Sequence, residues 1–407
     1  MSGEREFRLR SIAWAAYGPS VVISVGHGAV MPVLALRARD LGADVGQAAL
    51  VVGLLGVGML LASLPAGALI ARIGEKRALL LAGLLDAAAM GAAALTDSVA
   101  GLGLAVVVSG MAWTTFLISR QGFMIEAVPP AYRARALSAL GGTYRIGVFI
   151  GPLLGAALIG WTGLAAVFWM ALGLSLVAAA MATLMPDLGS EGRAEQHAAG
   201  HLSVWSVLVE HRRTLLTLGS AVVVIGASRS VRNGLLPLWA ESVGISAATT
   251  SLIFALAALV DIVFFYPGGW VMDRFGRAVV AVPVVLSVAV ASLLLPLTSG
   301  AAGVAGVMVL IAVGNGLGSG IVMTLGADTA PRRGRSQYLG GWRLCGDVRN
   351  SGGPLLVSAV ASVAPLATAC LVVGTLGLLG TVWVGYWTAA LDQSRRTTDG
   401  RSAVSRR

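Results

Sequence analysis

Charge is what this chain has least of. Asp, Glu, Lys and Arg together make up 12% of its 407 residues, against about 25% in an ordinary soluble domain. Too few polar side chains remain to cover a water-facing surface, so a soluble globular protein is excluded and lipid must be the solvent. Cysteine is nearly absent too. Cys345 and Cys370 can form one bridge at most, which excludes a disulfide framework; both read as small buried residues. Nucleotide loops, metal-ligand clusters and nucleophile–base sets are also missing. Gly314-Asn-Gly-Leu-Gly318 has the glycines of a phosphate loop but no lysine, and it lies inside an apolar run. His197, His201 and His211 lack the close spacing and cysteine partners of a zinc site. No enzyme chemistry, metal or cofactor is expected.

What the chain does have is apolar length. Hydrophobic residues make up 57% and the mean hydropathy is +0.83. A helix needs about 20 apolar residues to cross the hydrocarbon. Twelve runs meet that length, at roughly 12–36, 45–70, 78–96, 99–125, 136–160, 163–185, 214–239, 248–272, 278–298, 301–326, 337–360 and 364–390. They are too long for barrel strands, and backbone groups in lipid must be satisfied within the protein, so they read as helices. The first run is too long for a signal peptide and eleven more follow it, so it counts as a span. The expected fold is an all-α membrane protein with twelve transmembrane helices.

The net charge of +10 raises nucleic acid as a partner, but the basic residues are scattered loop by loop. With a cytoplasmic N-terminus, 21 of the 29 Lys and Arg fall in cytoplasmic segments, and only Arg37 and Arg39 fall outside. That is the positive-inside pattern, and it predicts a multi-pass protein of the inner (plasma) membrane with both termini cytoplasmic.

The chain is also written twice. Pro65, Gly67, Arg72 and Gly74 recur as Pro267, Gly269, Arg274 and Gly276 at a constant offset of 202 residues. The same offset carries Glu126 onto Asp328 and Gly151-Pro152 onto Gly353-Pro354. A repeat of this kind predicts two similar halves: a bundle of six helices over 1–185, a cytoplasmic linker over 186–213, a second bundle over 214–390 and a basic tail over 391–407. The linker holds the only long polar stretch, with Val204 and Trp205 hinting at an amphipathic surface helix. The tail from Ser394 is expected to be disordered.

Few ionic residues lie inside the runs, and each is informative. A charge at mid-membrane costs at least about 2.5–3.5 kcal/mol, so it needs a partner or a wet cavity. The cations are Arg120, Arg145, Arg229, Arg232, Arg343 and Arg349; the anions are Asp86, Asp261 and Asp347. His27 lies in the first run and Asn315 in the tenth. A carboxyl in low dielectric is raised toward neutrality and can carry a proton, which makes Asp261 and Asp347 proton-coupling candidates, against the bland reading of static ion pairs. Gly147, Gly151 and Gly155 in the fifth run sit four apart, on one face, with Pro152 among them. That spacing lets a neighbouring helix approach closely.

Two six-helix halves and the motif Gly269-x-x-x-Asp273-Arg274-x-Gly276-Arg277 resemble the major facilitator superfamily. The resemblance covers about 12–390. Gly147-x-x-x-Gly151-Pro152-x-x-Gly155 is similar to the helix 5 signature of its drug:proton antiporter branch. The resemblance implies two pseudo-symmetric six-helix bundles that alternate access to a central site. It also implies that Asp273 makes a contact between the halves, and that Arg277 pairs with Asp328, latching one face shut. Gly67, Arg72, Gly74 and Glu126 form the first-half copy, which departs from the family pattern because Ala71 and Glu75 replace its Asp and second Arg. The latch is therefore expected to be asymmetric, with the second copy dominant. The third, sixth, ninth and twelfth helices are peripheral in the family, which sets Asp86 aside from the cavity. Arg120 stands near, but out of register with, the family's helix 4 arginine. His27, Arg120, Arg145, Arg229, Arg232, Asn315 and Arg343 are the substrate-cavity candidates.

The expected function is export of small amphipathic drugs or metabolites by exchange against protons, by a monomer in the lipid bilayer. The first run carries no acid, and buried cations outnumber buried acids, so neutral or anionic substrates are expected. The alternatives are a proton-coupled importer or facilitator of organic anions or sugars, and a non-transporting membrane sensor of the same fold.

Overall fold

Helices form wherever the apolar runs stand. In the computed structural model, residues 9–186, 209–331 and 335–404 are described. The linker from Asp187 to Leu208, with its predicted amphipathic helix, lies outside them. In chain order the helices are α1 (Leu9–Val30), α2 (Leu34–Asp40), α3 (Val45–Ser63), α4 (Pro65–Ile73), α5 (Glu75–Leu95), α6 (Val99–Ala127), α7 (Pro130–Thr162) and α8 (Ala165–Thr183). After the linker come α9 (Ser220–Ser242), α10 (Ala247–Phe275), α11 (Ala278–Leu294), α12 (Ala301–Leu317), α13 (Ile321–Thr329), α14 (Arg335–Ala361) and α15 (Leu366–Val404).

Among the described residues ten helical stretches are long and apolar enough to cross a membrane, eleven if the bent pair α1–α2 is one span. The protein is thus all-helical and multi-pass. The eleventh expected span, α14, is a helix, but its apolar part is only Ser351–Ala361, because Arg343, Asp347 and Arg349 occupy its first half. Three runs are broken where the hydropathy suggests continuous helices. Pro32 lacks an N–H donor, and α1 and α2 bend by 45° around it. One residue, Leu64, separates α3 from α4, and Pro65 takes the first position of the new helix, where its missing N–H costs nothing. Gly318–Gly320 separates α12 from α13. The tail differs in the other direction: α15 continues to Val404, so the backbone is helical where disorder was expected. No proline interrupts it and the first glycine after the apolar run is Gly400.

Contacts divide the chain into two compact units. One comprises Met1–Ala43, Leu54–His201 and Ala247–Ala255; the other comprises Asp44–Gly53, Leu202–Ser246 and Leu256–Arg407. In lipid, helices do not associate by hiding apolar surface from water; close packing of small residues does much of that work. In the first unit a Cβ on Gly83 would lie 2.9 Å from Ala179, and one on Gly110 would run into the carbonyl of Leu55. Phe116, Phe123, Leu79 and Ile23 fill the core beside these contacts. In the second unit Gly268 meets the Leu317 carbonyl and Gly316 lies against the Asp261 backbone. Tyr338, Trp342, Ile225 and Val284 fill its core. The repeated motif also repeats in conformation: Gly74 has φ 84° and its counterpart Gly276 has φ 105°, a region that only glycine enters freely.

Candidate functional site

In the first unit, buried polar side chains converge on Asp86. His27 Nε2 lies 3.1 and 3.2 Å from its two carboxylate oxygens. Ser109 Oγ donates to Oδ1 at 2.7 Å and Ser175 Oγ to Oδ2 at 2.6 Å. Four helices therefore supply one side chain each: α1, α5, α6 and α8. Asp86 is 0% exposed and His27 6%. An ionised carboxylate only accepts hydrogen bonds; the two serine hydroxyls donate to it, and His27 Nε2 does so in its Nε2–H tautomer. Trp113 of α6 covers the imidazole, with ring centroids 4.2 Å apart. The family's helix order sets Asp86 aside as peripheral, yet it is the hub of the cluster. Gly83 lets α8 come close enough for α5 to present Asp86 to α1, α6 and α8.

His27 also sits beside a close helix crossing of this unit. A Cβ on neighbouring Gly28 would lie 2.5 Å from the Gly147 carbonyl, and one on Gly151 would lie 2.5 Å from Ala29 N. Gly147 likewise abuts Ser24 and Val25. The glycine face of α7 thus seats directly on α1, backbone against backbone. Gly155 is looser, at 3.5 Å from Ala29, and Pro152 lies within an unbroken α7.

The second unit repeats the Gly151 contact of this crossing. A Cβ on Gly353 would lie 2.5 Å from Ala227 O, Ser230 Oγ and Val231 N, which are the 202-residue counterparts of Val25, Gly28 and Ala29. At the same offset His27 becomes Arg229, and Asp86, Ser109 and Ser175 become Val288, Ile311 and Gly377. Val288 brings no carboxylate to the place of Asp86, and Arg229 donates to backbone carbonyls. Its Nη2 donates to Gly318 O at 2.7 Å and Asn315 O at 3.5 Å. Those carbonyls lie at the C-terminal end of α12, where a cation meets the negative end of the helix dipole. Cavities repeat as well. One, of about 10 Å³, is lined by His27, Ser109, Val30 and Ala89; another of about 10 Å³ is lined by Ile311, Arg232 and Ala291, the counterparts of Ser109, Val30 and Ala89. Each has room for about one water molecule.

The other sequence candidates are more dispersed. Arg120, Arg145, Arg232 and Asp261 are half-buried, and Asn315 is 4% exposed. The side chains of Arg343 and Asp347 lie outside the described residues. In the latch motif, Arg277 Nε donates to Asp328 Oδ2 at 2.9 Å, with both side chains largely buried. Arg274 lies over Trp270 and Phe275, 5.5 and 5.9 Å from their ring centres, while Asp273 is exposed. In the first copy, Arg72 and Glu126 are exposed, and Glu75 packs on Gly122, 3.2 Å from where a Cβ would stand. Nothing lies within 4 Å of a Cβ built on Gly67 or Gly269. Asp392 belongs to no motif, yet its carboxylate accepts from Arg277 N at 3.0 and 2.8 Å and from Ala278 N at 3.0 Å. Among the described residues no group of acids, histidines and cysteines could hold a metal.

A model of the Major Facilitator Superfamily matches residues 20–345 and 218–404. The chain belongs to this superfamily. An uncharacterised MFS-type transporter of Mycobacterium tuberculosis, found in strains CDC 1551 / Oshkosh and H37Rv, is 28% identical over 278 residues. The match takes in 62% of this chain and 62% of the relative, so it spans less than two thirds of the curated proteins it resembles. Among solved structures, a POT family transporter in complex with 5-aminolevulinic acid superposes with a TM-score of 0.74 at 12% identity, over 94% of this chain and 96% of that one. The nucleoside transporter NupG gives 0.72 at 14% identity, over 92% and 98%. These likenesses show the major facilitator fold.

Proposed function

We propose that this superfamily member is a secondary active transporter that exports small amphipathic compounds in exchange for protons, with all twelve helical segments crossing the membrane. The seating of α7 on α1 carries the reading. Gly147 and Gly151, the residues of the antiporter-type signature, are the ones whose backbone touches α1. A crossing with no side chain between its backbones has few ways to deform smoothly, so it suits a switch between discrete packings. Arg277 and Asp328, with Asp273 and Arg274 nearby, serve as the latch, and the first copy contributes less because Ala71 and Glu75 break its charge pattern. The half-buried Arg120, Arg145 and Arg232 favour neutral or anionic substrates over cations. Asp261 remains the acid of the second unit best placed in sequence to respond to proton uptake.

The test is flux in proteoliposomes with an imposed pH gradient, across a panel of neutral, anionic and cationic amphipathic compounds. Neutral or anionic members should move against the proton flow and shift the lumenal pH in step. A panel in which nothing moves under the gradient, or in which only cations move, overturns the proposal.

A further inference from the structure

We propose that His27 and Asp86 form a proton-binding site inside the first unit, and that this site couples proton movement to the α1–α7 crossing. The coupling half of this inference rests on the antiporter reading above; the proton-binding half does not.

The donors around Asp86 leave its carboxylate no proton to give, so the exchangeable proton belongs to His27. Nε2–H stays on the carboxylate, and the ring takes a proton from water at Nδ1. Uptake turns a neutral imidazole beside a buried anion into an imidazolium–carboxylate pair with no net charge; release returns the same proton from the same nitrogen. Titration at this point therefore switches the interior of the bundle between neutral and singly negative. In low dielectric that difference is large enough to favour different packings.

The surroundings isolate the pair. From α6 it meets the neutral Ser109 and Trp113, and from α8 only Ser175; α8 carries no charged residue between Ala165 and Thr183. On α7 the titratable groups nearest the crossing are Tyr144, whose ring is 6.0 Å from Trp113, and Arg145. On α1 itself the nearest is Tyr17, whose hydroxyl donates to Ala136 O. The cavity beside the pair lies toward the α2 end of the bundle. The water-sized cavity beside His27 is lined onward by Met31 and Leu34 on one side and Ala93 on the other. The pair is also next to the α1–α7 crossing. Gly28, adjacent to His27, touches Gly147, and the α1–α2 bend begins one turn later, where Met31 N bonds His27 O.

The internal repeat points the same way independently. At the counterpart position the second unit has Arg229, which holds its charge at any accessible pH and is tied to fixed carbonyls. One half carries a permanent cation and the other a titratable one at the same place in the same crossing. A purely structural requirement for a cation would be met by arginine in both halves.

Two measurements test this. Purified protein in nanodiscs is titrated while indole fluorescence is recorded, since an imidazolium 4.2 Å from Trp113 quenches it. A pH-dependent step is expected in the parent. It should vanish in both His27→Gln, which keeps a donor toward Asp86, and Trp113→Phe. No step in the parent, or one that survives His27→Gln, overturns proton binding here. Second, proteoliposomes with His27→Gln should lose pH-gradient-driven transport at least tenfold while the protein still inserts folded. Retention of gradient-driven transport by His27→Gln overturns the coupling role. If no compound moves under a gradient even in the parent, yet the fluorescence step behaves as expected, the export reading falls and the proton site stands.

Discussion

Single glycines decide how closely the helices meet. Gly151 and Gly155 are one helical turn apart on the same face of α7, and sequence treats them alike. The structure does not. A methyl at Gly151 collides with the backbone of α1 at 2.5 Å, whereas one at Gly155 makes ordinary contact at 3.5 Å with Ala29. Gly151→Ala forces two helices apart, and overpacking of that kind costs about 1–3 kcal/mol. Gly155→Ala should stay within about 0.5 kcal/mol of the parent, as substitutions away from tight contacts do. Thermal unfolding in detergent checks both: a clear drop in midpoint for Gly151→Ala and none for Gly155→Ala. Because the second unit repeats the crossing, Gly353→Ala should match Gly151→Ala in size. Equal behaviour of Gly151 and Gly155 would mean that the close approach is not what the glycines are for.

Helix ends explain how the two copies of the motif diverged. Both turn at a positive-φ glycine, Gly74 or Gly276, and both must satisfy the N–H groups that open the next helix. In α5 the first residue is an acid, Glu75, which complements the dipole locally. In α11 that position is Arg277, so the negative charge comes from afar: Asp392, on α15, accepts from Arg277 N and Ala278 N. Asp392→Ala should lower stability by about 1–2 kcal/mol, in the range of a lost helix cap. Asp392→Asn should recover part of it, because its side-chain oxygen still accepts but carries no charge; a thermal midpoint for Asn equal to that of Ala would remove the capping account. The same contrast marks what sequence could and could not tell. The Arg277–Asp328 pair was legible through the resemblance to the major facilitator superfamily, whose motif implies a pairing of these two positions. Asp392 was not, since it lies 115 residues from its partner in a stretch whose composition read as tail. Asp86 was missed for a related reason. In a lipid-soluble helix both the inward and the outward faces are apolar, so periodicity cannot say which way a lone acid points, and only the small residues Gly83 and Gly91 hinted at the packed face. The helix breaks at Leu64 and Gly318–Gly320 fell within runs read as single spans.

At the scale of the whole molecule, the solvent decides the surface. Large apolar side chains stand exposed: Trp161 is 90% accessible, Tyr266 81% and Met323 81%. Water would make such a surface aggregate; a bilayer makes it the natural outside. Which end faces the cytoplasm then follows from charge. At one end of the first unit Arg37 is largely taken up by Asp40 and by the carbonyl of Thr96, while the other end carries Arg72, Lys76, Arg77 and Arg133. Lys and Arg resist translocation, so that end is expected inside. The orientation can be read directly by cysteine labelling, because the native Cys370 is buried and Cys345 half-buried. A cysteine replacing exposed Asp97, in the turn after α5, should react with a membrane-impermeant maleimide added to intact cells. One replacing exposed Arg77, at the start of α5, should react only after the membrane is opened. The two positions bracket a single helix, so a swapped pattern would invert every span at once. It would also reverse the face from which protons reach His27, turning an exporter powered by inward proton flow into one that the gradient opposes.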